Sequence, residues 1–258
     1  MRVQSVVPVV SVREVARNIH VLTFSAPAIA QHVLPGQFVN IRIDASADPL
    51  LRRPFSVYRT QGENVEIIFN VVGRGTSILS SRRQGDMIDV LGPLGVPFGI
   101  DREDFSTALL VAGGLGVAPM PIMTDALRRK GKKVVTFLGA RTADQLVDAH
   151  LQDPRVATDD ASRGRGGTVV ELLEQWLTED TVANLKIFAC GPNAMLRALG
   201  QFALRHDLPC EVSLEGAMGC GFGICQGCPV ELVGGGNKYA LMCTDGPTFD
   251  VRRIRIPA

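Results

Sequence analysis

The sequence predicts a multidomain chain of β plus α/β class: an antiparallel β unit, a parallel-sheet α/β unit and a C-terminal cysteine loop. Short β-type runs broken by Gly and Pro fill residues 1–99. Apolar runs alternating with helical stretches fill residues 100–208. Residues 209–258 hold four closely placed cysteines among glycines, with little regular pattern.

In the first segment the β-type runs are Val6–Val12, His20–Phe24, Phe38–Ile43, Phe55–Tyr58, Val65–Val72 and Met87–Leu91. Turn residues such as Leu34-Pro35-Gly36-Gln37 separate them. Many short strands at this spacing predict an antiparallel barrel or sandwich.

In the second segment Ala108–Ala112 is a continuous apolar run followed by Gly113-Gly114-Leu115-Gly116, and a helix is expected over about 119–130. A second apolar run covers Lys133–Leu138; Thr168–Leu177 reads as helix, Lys186–Cys190 as strand and Asn193–His206 as helix. Strands alternating with helices predict a parallel sheet covered on both faces. Gly113, Gly114 and Gly116 stand between a buried strand and a helix, where helix N–H groups and the positive end of the dipole receive a nucleotide pyrophosphate. The string departs from the Rossmann fingerprint at Pro119, where the third Gly would fall. No acid ends the second strand; Arg141 there suits a 2′-phosphate or is a solvated charge.

Cys220, Cys225, Cys228 and Cys243 read Cys-x4-Cys-x2-Cys, fourteen residues, then Cys. This is the plant-type spacing of a [2Fe–2S] cluster. Gly219, Gly221, Gly223 and Gly227 let the loop curl and bring N–H groups to the sulfurs. Zinc and free buried thiols are the competing readings, although zinc favours two close Cys pairs and only Cys225/Cys228 is one. Cys210 reads as a small buried hydrophobe. Gly234-Gly235-Gly236 reads as a short turn.

A second set of strings runs through the first segment. Arg52-Arg53-Pro54-Phe55-Ser56-Val57-Tyr58 opens a strand. Arg53 offers a planar fork to a pyrophosphate, Ser56 a hydroxyl to a flavin ring nitrogen, and Phe55 or Tyr58 a stacking face. Asn70-Val71-Val72-Gly73-Arg74-Gly75-Thr76 then ends in a Gly-rich turn suited to phosphate, and Gly92-Pro93-Leu94-Gly95 forms another tight turn. Alone, an Arg-Pro-aromatic-Ser string is equally a strand-end salt bridge.

The order Arg-Pro-Phe-Ser, Gly-x-Gly-Thr, Gly-Pro-Leu-Gly and Gly-Gly-x-Gly-x-Ala-Pro resembles the ferredoxin–NADP reductase superfamily. With the cysteine loop added, the whole chain resembles the family of electron-transfer subunits of class 1B dihydroorotate dehydrogenases. The resemblance implies a six-stranded flavin-binding β-barrel at 1–99, a Rossmann-like NAD(P)-binding domain at 100–208 and a [2Fe–2S] subdomain at 209–258. It implies FAD, NAD(H) and the cluster as cofactors. Arg53, Pro54, Phe55, Ser56, Asn70, Val71, Val72, Gly75 and Thr76 would contact FAD, and Gly113, Gly114 and Gly116 the nucleotide. Ser56 and Cys190 would act beside the flavin and nicotinamide, with Cys190 equally readable as a buried strand thiol. Asp159–Gly164 and Thr168 would rim the nucleotide site. The implied partner is an FMN-containing dihydroorotate dehydrogenase catalytic subunit, two copies of each chain, within pyrimidine biosynthesis. A ferredoxin:NADP oxidoreductase or hydrogenase diaphorase subunit is the neighbouring reading, since Gln226-Gly227 and Pro229 depart from the dihydroorotate-type loop. A zinc-stabilised interaction module is the reading of another class.

Composition excludes some roles. A net charge of +1 gives no electrostatic case for nucleic acid or an anionic membrane. No apolar stretch approaches the roughly 20 residues that span a bilayer. The run Met1–Val7, broken by Pro8, is too short for a signal peptide. Six cysteines without such a signal fit reduced thiols in the cytoplasm. His20, His32, His150 and His206 match no triad or ligand spacing and receive no catalytic role.

Overall fold

The computed structural model describes residues 2–257 except 45, 47, 181, 235 and 237. Gly235 of the expected glycine turn, and Met1 of the N-terminal run, therefore lie outside the described residues.

Six strands build the first unit: β1 (Val3–Ala16), β2 (Ile19–Ser25), β3 (Phe38–Arg42), β4 (Arg53–Gln61), β5 (Asn64–Asn70) and β6 (Met87–Leu94). They close as an antiparallel barrel in the order β1-β2-β5-β4-β3-β6. The short helices α1 (Pro27–Ala30) and α2 (Arg74–Ser80) lie between strands. Period-two alternation explains how β5 serves two cores. Val65, Ile67 and Phe69 fill the barrel, while Ile68 joins Ile19, Val21 and Tyr58 against the second unit.

The second unit carries β7 (Thr107–Gly113), α3 (Met120–Arg129), β8 (Lys133–Ala140), β9 (Arg155–Thr158), β10 (Arg165–Gly166), α4 (Val169–Glu179), β11 (Leu185–Cys190) and α5 (Asn193–Arg205). Every residue of β7 and β11 is buried, as expected for parallel strands covered on both faces. Leu109 and Val111 pack with α4 and α5 on one face; Ala108, Leu110 and Ala112 pack with α3 and the barrel on the other. Helix α4 starts at a capping box: the Thr168 hydroxyl accepts from the Glu171 N–H at 3.2 Å, and the Thr168 N–H donates to the Glu171 carboxylate at 2.8 Å.

The tail adds β12 (Cys210–Ser213), β13 (Pro229–Glu231), β14 (Tyr239–Leu241) and β15 (Thr248–Asp250). Three expectations change here. Residues 209–258 are not poor in structure: β12 and β15 complete a seven-stranded sheet, order β10-β9-β8-β7-β11-β12-β15. Gly92-Pro93-Leu94 is the end of β6 rather than a turn, paired irregularly with β3, and Gly95 beyond it has φ +80. Arg74–Ser80 is a helix rather than an open turn, and the Thr76 hydroxyl at its start accepts from the Val72 and Gly73 N–H groups at 3.0 and 3.2 Å. The β13–β14 hairpin leads directly into Cys243.

Candidate functional site

Three features meet along one seam of the molecule. The first is a cleft of about 300 Å³ between barrel and sheet. Pro54, Phe55 and Ser56 of β4, Phe69 and Asn70 of β5, and Val72 and Thr76 form its barrel wall. Leu115, Ala118 and Ser213–Gly216 form the opposite wall. Phe55 and Phe69 meet at 5.8 Å between ring centroids. The Asn70 Oδ1 is buried without a partner at this cleft. An orphaned acceptor among aromatic walls fits a flat, hydrogen-bonding ring such as isoalloxazine.

Arg53, Val71 and Gly75, expected with this group, lie off the cleft wall. The Arg53 guanidinium bonds back to the Leu51 carbonyl at 2.7 Å and lies over the first turn of α2, 3.6 Å from where a Gly75 Cβ would stand. Val71 packs toward the barrel core because its N–H is tied to the Asn18 carbonyl at 3.0 Å. Tyr58 is corrected as a stacking candidate. It is 1% exposed, its hydroxyl donates to the Ala149 carbonyl at 3.0 Å, and burial raises its pKa to about 12.

The second feature is a cleft of about 410 Å³ at the carboxyl ends of β7, β8 and β11, where doubly wound sheets take ligands. Gly113, Gly114, Arg141, Asp159, Thr168 and Pro192 line it. The acid missing from the tip of β8 comes from the next strand: the Asp159 N–H donates to the Ala140 carbonyl at 3.1 Å and sets this carboxylate beside that tip. The Asn193 Oδ1 is a buried, unpartnered acceptor at the start of α5, next to Pro192 of the cleft wall. Gly116 does not line this cleft. Its Cα faces the Cys190 carbonyl so closely that a Cβ would lie 2.0 Å from that oxygen. It is a packing glycine that joins the turn 114–117 to the end of β11.

Cys190 ends β11, 2% exposed. Burial, and then the Glu215 carboxylate 4.0 Å from its sulfur, push the thiol pKa far up, so this sulfur holds its proton. Glu215 keeps contact with solvent at the cleft mouth, yet the protein crowding it raises its pKa. Nothing in the sequence flags Glu215, which is a lone acid after a short strand.

The third feature is the cysteine loop. The Cys220 N–H approaches the Cys225 sulfur, and the Cys225 N–H the Cys220 sulfur, both at 3.4 Å. Partial burial opposes ionisation of Cys220, but the N–H groups of Cys225, Phe222 and Ile224 outweigh it and lower the thiol to about 6. Cys243 is raised to about 12 by burial and by the neighbouring Cys228 thiol. Cβ atoms at Gly219 and Gly227 would stand 3.2 and 3.4 Å from the Cys225 sulfur, so both glycines leave room around that ligand. Among the described residues no group of three or more His, Cys, Asp or Glu side chains is placed to hold one metal ion. The Cys220 and Cys225 sulfurs each face the other residue's N–H, and Cys228 and Cys220 both act on the Cys243 thiol, so the four cysteines share one neighbourhood.

This fold and these sites define a flavin- and iron–sulfur-dependent oxidoreductase of ferredoxin-reductase type. The description "Oxidoreductase FAD-binding domain" matches residues 6–97. "Iron-sulfur cluster binding domain of dihydroorotate dehydrogenase B" matches residues 215–255, which displaces the zinc reading. A dihydroorotate dehydrogenase B (NAD(+)) electron transfer subunit of Bacillus caldolyticus is 40% identical over 93% of this chain and 94% of its own. That of Bacillus cereus (strain Q1) is 38% identical over 95% and 96%. A solved NADH-dependent reduced ferredoxin-NADP oxidoreductase superposes with TM-score 0.87 at 29% identity, over 98% of this chain and 90% of that one. A ferredoxin NADP+ reductase from Neisseria gonorrhoeae, with bound FAD and NADP, shares the fold at TM-score 0.67 and 16% identity, over 78% and 91%. The chain belongs to the family of dihydroorotate dehydrogenase B (NAD(+)) electron transfer subunits.

Proposed function

We propose that this chain relays electrons between NAD(H) and an FMN-containing catalytic subunit that interconverts dihydroorotate and orotate in cytoplasmic pyrimidine biosynthesis, two copies of each chain assembling. FAD, when bound, couples two-electron exchange with a nicotinamide to the one-electron exchange that a [2Fe–2S] cluster performs. The observation that carries this reading is the shared wall: Leu115 and Ala118 face the barrel cleft, while Gly113 and Gly114, at the other end of the same turn, face the nucleotide cleft. A nicotinamide and a flavin held in these clefts would approach one another around the turn 114–117, whose residues line both.

The chain's own residues bind, orient and exclude water. Ser56 and Asn70 offer polar contacts to a flavin ring, Pro54, Phe55 and Val72 line its faces, and Thr76 shapes the turn. Arg53, over the Gly75 turn of α2, suits the pyrophosphate. Gly113 and Gly114 open the nucleotide cleft to a second pyrophosphate, and Gly116 sets the turn against β11. Asp159 favours a ribose 2′-hydroxyl over a 2′-phosphate, which supports NAD(H). Cys190, kept protonated beside Glu215, serves as a neutral contact near the nicotinamide and not as a nucleophile. Cys220, Cys225, Cys228 and Cys243 hold the cluster. Phe222 is 37% and Ile224 77% exposed beside the exposed Cys225, an apolar rim suited to a protein partner. We divide the chain at about residues 99 and 208, the cysteine loop leaving the sheet after β12 and rejoining it at β15.

A ferredoxin:NADP oxidoreductase subunit is the second reading, favoured by the 0.87 superposition. The test is Cys225→Ser, studied anaerobically with the purified catalytic subunit. Flavin reduction by NADH persists and transfer to the subunit is lost. Wild-type transfer by that variant would sink the relay order, and transfer to ferredoxin alone would favour the second reading.

A further inference from the structure

Strand β3 runs Phe38-Val39-Asn40-Ile41, and all four residues are buried, Asn40 to 1% exposure. An asparagine among these apolar neighbours is a costly choice, because both ends of its amide leave water. The Asn40 Nδ2 donates to the Cys220 carbonyl at 2.8 Å. The Oδ1 of the same amide is buried with no partner. An aliphatic residue would avoid that unsatisfied acceptor, so the Nδ2 bond accounts for the asparagine. The loop is shaped to receive it. Gly221 has φ +80, and a Cβ there would stand 2.5 Å from Nδ2, so the backbone rests directly on the amide.

Asn40 is equally fixed from the barrel side. It lies opposite Pro54, which lines the flavin cleft. Arg52 steadies this strand: its guanidinium donates to the Asp89 carbonyl at 3.0 Å and to the Asn40 carbonyl at 3.4 Å, and it pairs with the Asp89 carboxylate at 2.6 Å. A short bonded route therefore runs from the flavin-facing strand β4, through β3 and one side-chain amide, to the first cysteine of the loop.

We propose that Asn40 is a positioning residue that docks the cysteine loop on the flavin barrel and fixes the spacing between the flavin cleft and the first cluster ligand. This rests on reading the four cysteines as cluster ligands. The bond joins segments 180 residues apart. The bond holds the loop's Cys220–Gly221 end to the barrel, and the β13–β14 hairpin carries its other end.

The test uses the full-length protein, purified anaerobically, as wild type, Asn40→Leu and Gly221→Ala. The leucine keeps the branched shape and heavy-atom count of the side chain and removes its donor. Iron, acid-labile sulfide, the electron paramagnetic resonance spectrum of the reduced cluster and the rate of iron loss to a chelator are measured together with flavin content. For Asn40→Leu we expect wild-type flavin content, a shifted resonance spectrum, and iron loss about tenfold faster, in line with one lost buried hydrogen bond. Reduction of the cluster by NADH slows, while reduction of the flavin keeps its rate. Gly221→Ala, which pushes on the same amide, gives the same cluster defects and carries the test should Asn40→Leu not fold. A wild-type spectrum, chelation rate and cluster reduction in the variants would overturn the positioning role alone. Wild-type protein without iron and sulfide would overturn the cluster reading and the positioning role together.

Discussion

Gly116→Ala probes the seam most directly. The added Cβ would start 2.0 Å from the Cys190 carbonyl oxygen and 2.6 Å from the Gly191 nitrogen. Relief to a tolerable 3.0 Å needs a movement of about 1 Å or more. Cys190 cannot supply it, because β11 is laddered on both sides, Cys190 pairing with Ala112 and with Ser213. The movement therefore falls on residues 114–118, which wall both clefts. A displacement of about 1 Å between reacting partners lowers a rate by about 10²-fold, and overpacking costs about 1–3 kcal/mol. Gly114→Ala meets no atom within 4 Å and carries only the strain of φ +54, roughly 1–2 kcal/mol. The assay is stopped-flow absorbance of flavin reduction by NADH, with flavin content and urea midpoints measured in parallel. A Gly116→Ala protein that keeps its flavin and reduces it at the wild-type rate would refute the shared-wall reasoning.

Three further outcomes are expected. Lys186→Met strands the Glu211 carboxylate, which now accepts from the Lys186 ammonium at 2.6 Å and from the Gly99 N–H at 2.8 Å; with side chains 4% and 15% exposed, a loss of about 3–5 kcal/mol in urea unfolding is expected, and a loss below about 1 would show the pair is incidental. Tyr58→Phe removes a buried hydroxyl whose pKa is raised from 10.0 to about 12. A raised folded-state pKa means stability is intact below pH 10 and declines as pH rises toward 12, so the variant loses about 1 kcal/mol at pH 7 but shows an alkaline decline shallower by up to about 1.4 kcal/mol per pH unit. An identical alkaline limb in both proteins would contradict it. Arg53→Ala weakens FAD retention by roughly tenfold or more, read as flavin lost on dialysis, and full occupancy would remove Arg53 from the pyrophosphate role.

The sequence made the architecture legible because its signals are local. Each of the six barrel runs and the three central sheet strands β7, β8 and β11 is marked by its own period or apolar run, whereas the short strands β9, β12 and β15 are not, and Gly or Pro marks most ends. The iron–sulfur domain was equally legible, since the spacing of its cysteines is a local signal. What stayed hidden depends on contacts between distant segments. Asn40 reads as one polar residue in an apolar strand until the loop 180 residues away is folded onto it. Asp159 takes its place beside the tip of β8 only through sheet order β9-β8. Gly116 reads as a phosphate glycine because turn and packing glycines leave the same letter; only the 2.0 Å approach tells them apart. Tyr58 follows the Arg-Pro-Phe-Ser string closely enough to suggest a stacking role, yet the second unit covers it.

These late-appearing residues share one property: they set distances. The turn 114–117 meets β11 backbone to backbone, with no side chain between. The Asn40 amide ties the cysteine loop to β3 by a hydrogen bond to the Cys220 carbonyl. Flexible side chains at either junction would let the clefts and the loop drift by the length of a rotamer change, and close-packed backbone contacts do not. Electron exchange needs little acid–base chemistry from the protein, so little of this chain's chemistry resembles that of a hydrolase site: Cys190 is held protonated, and no histidine lines either cleft. Substitutions at the two junctions should therefore change transfer rates while leaving flavin content close to wild type, the reverse of what Arg53→Ala does.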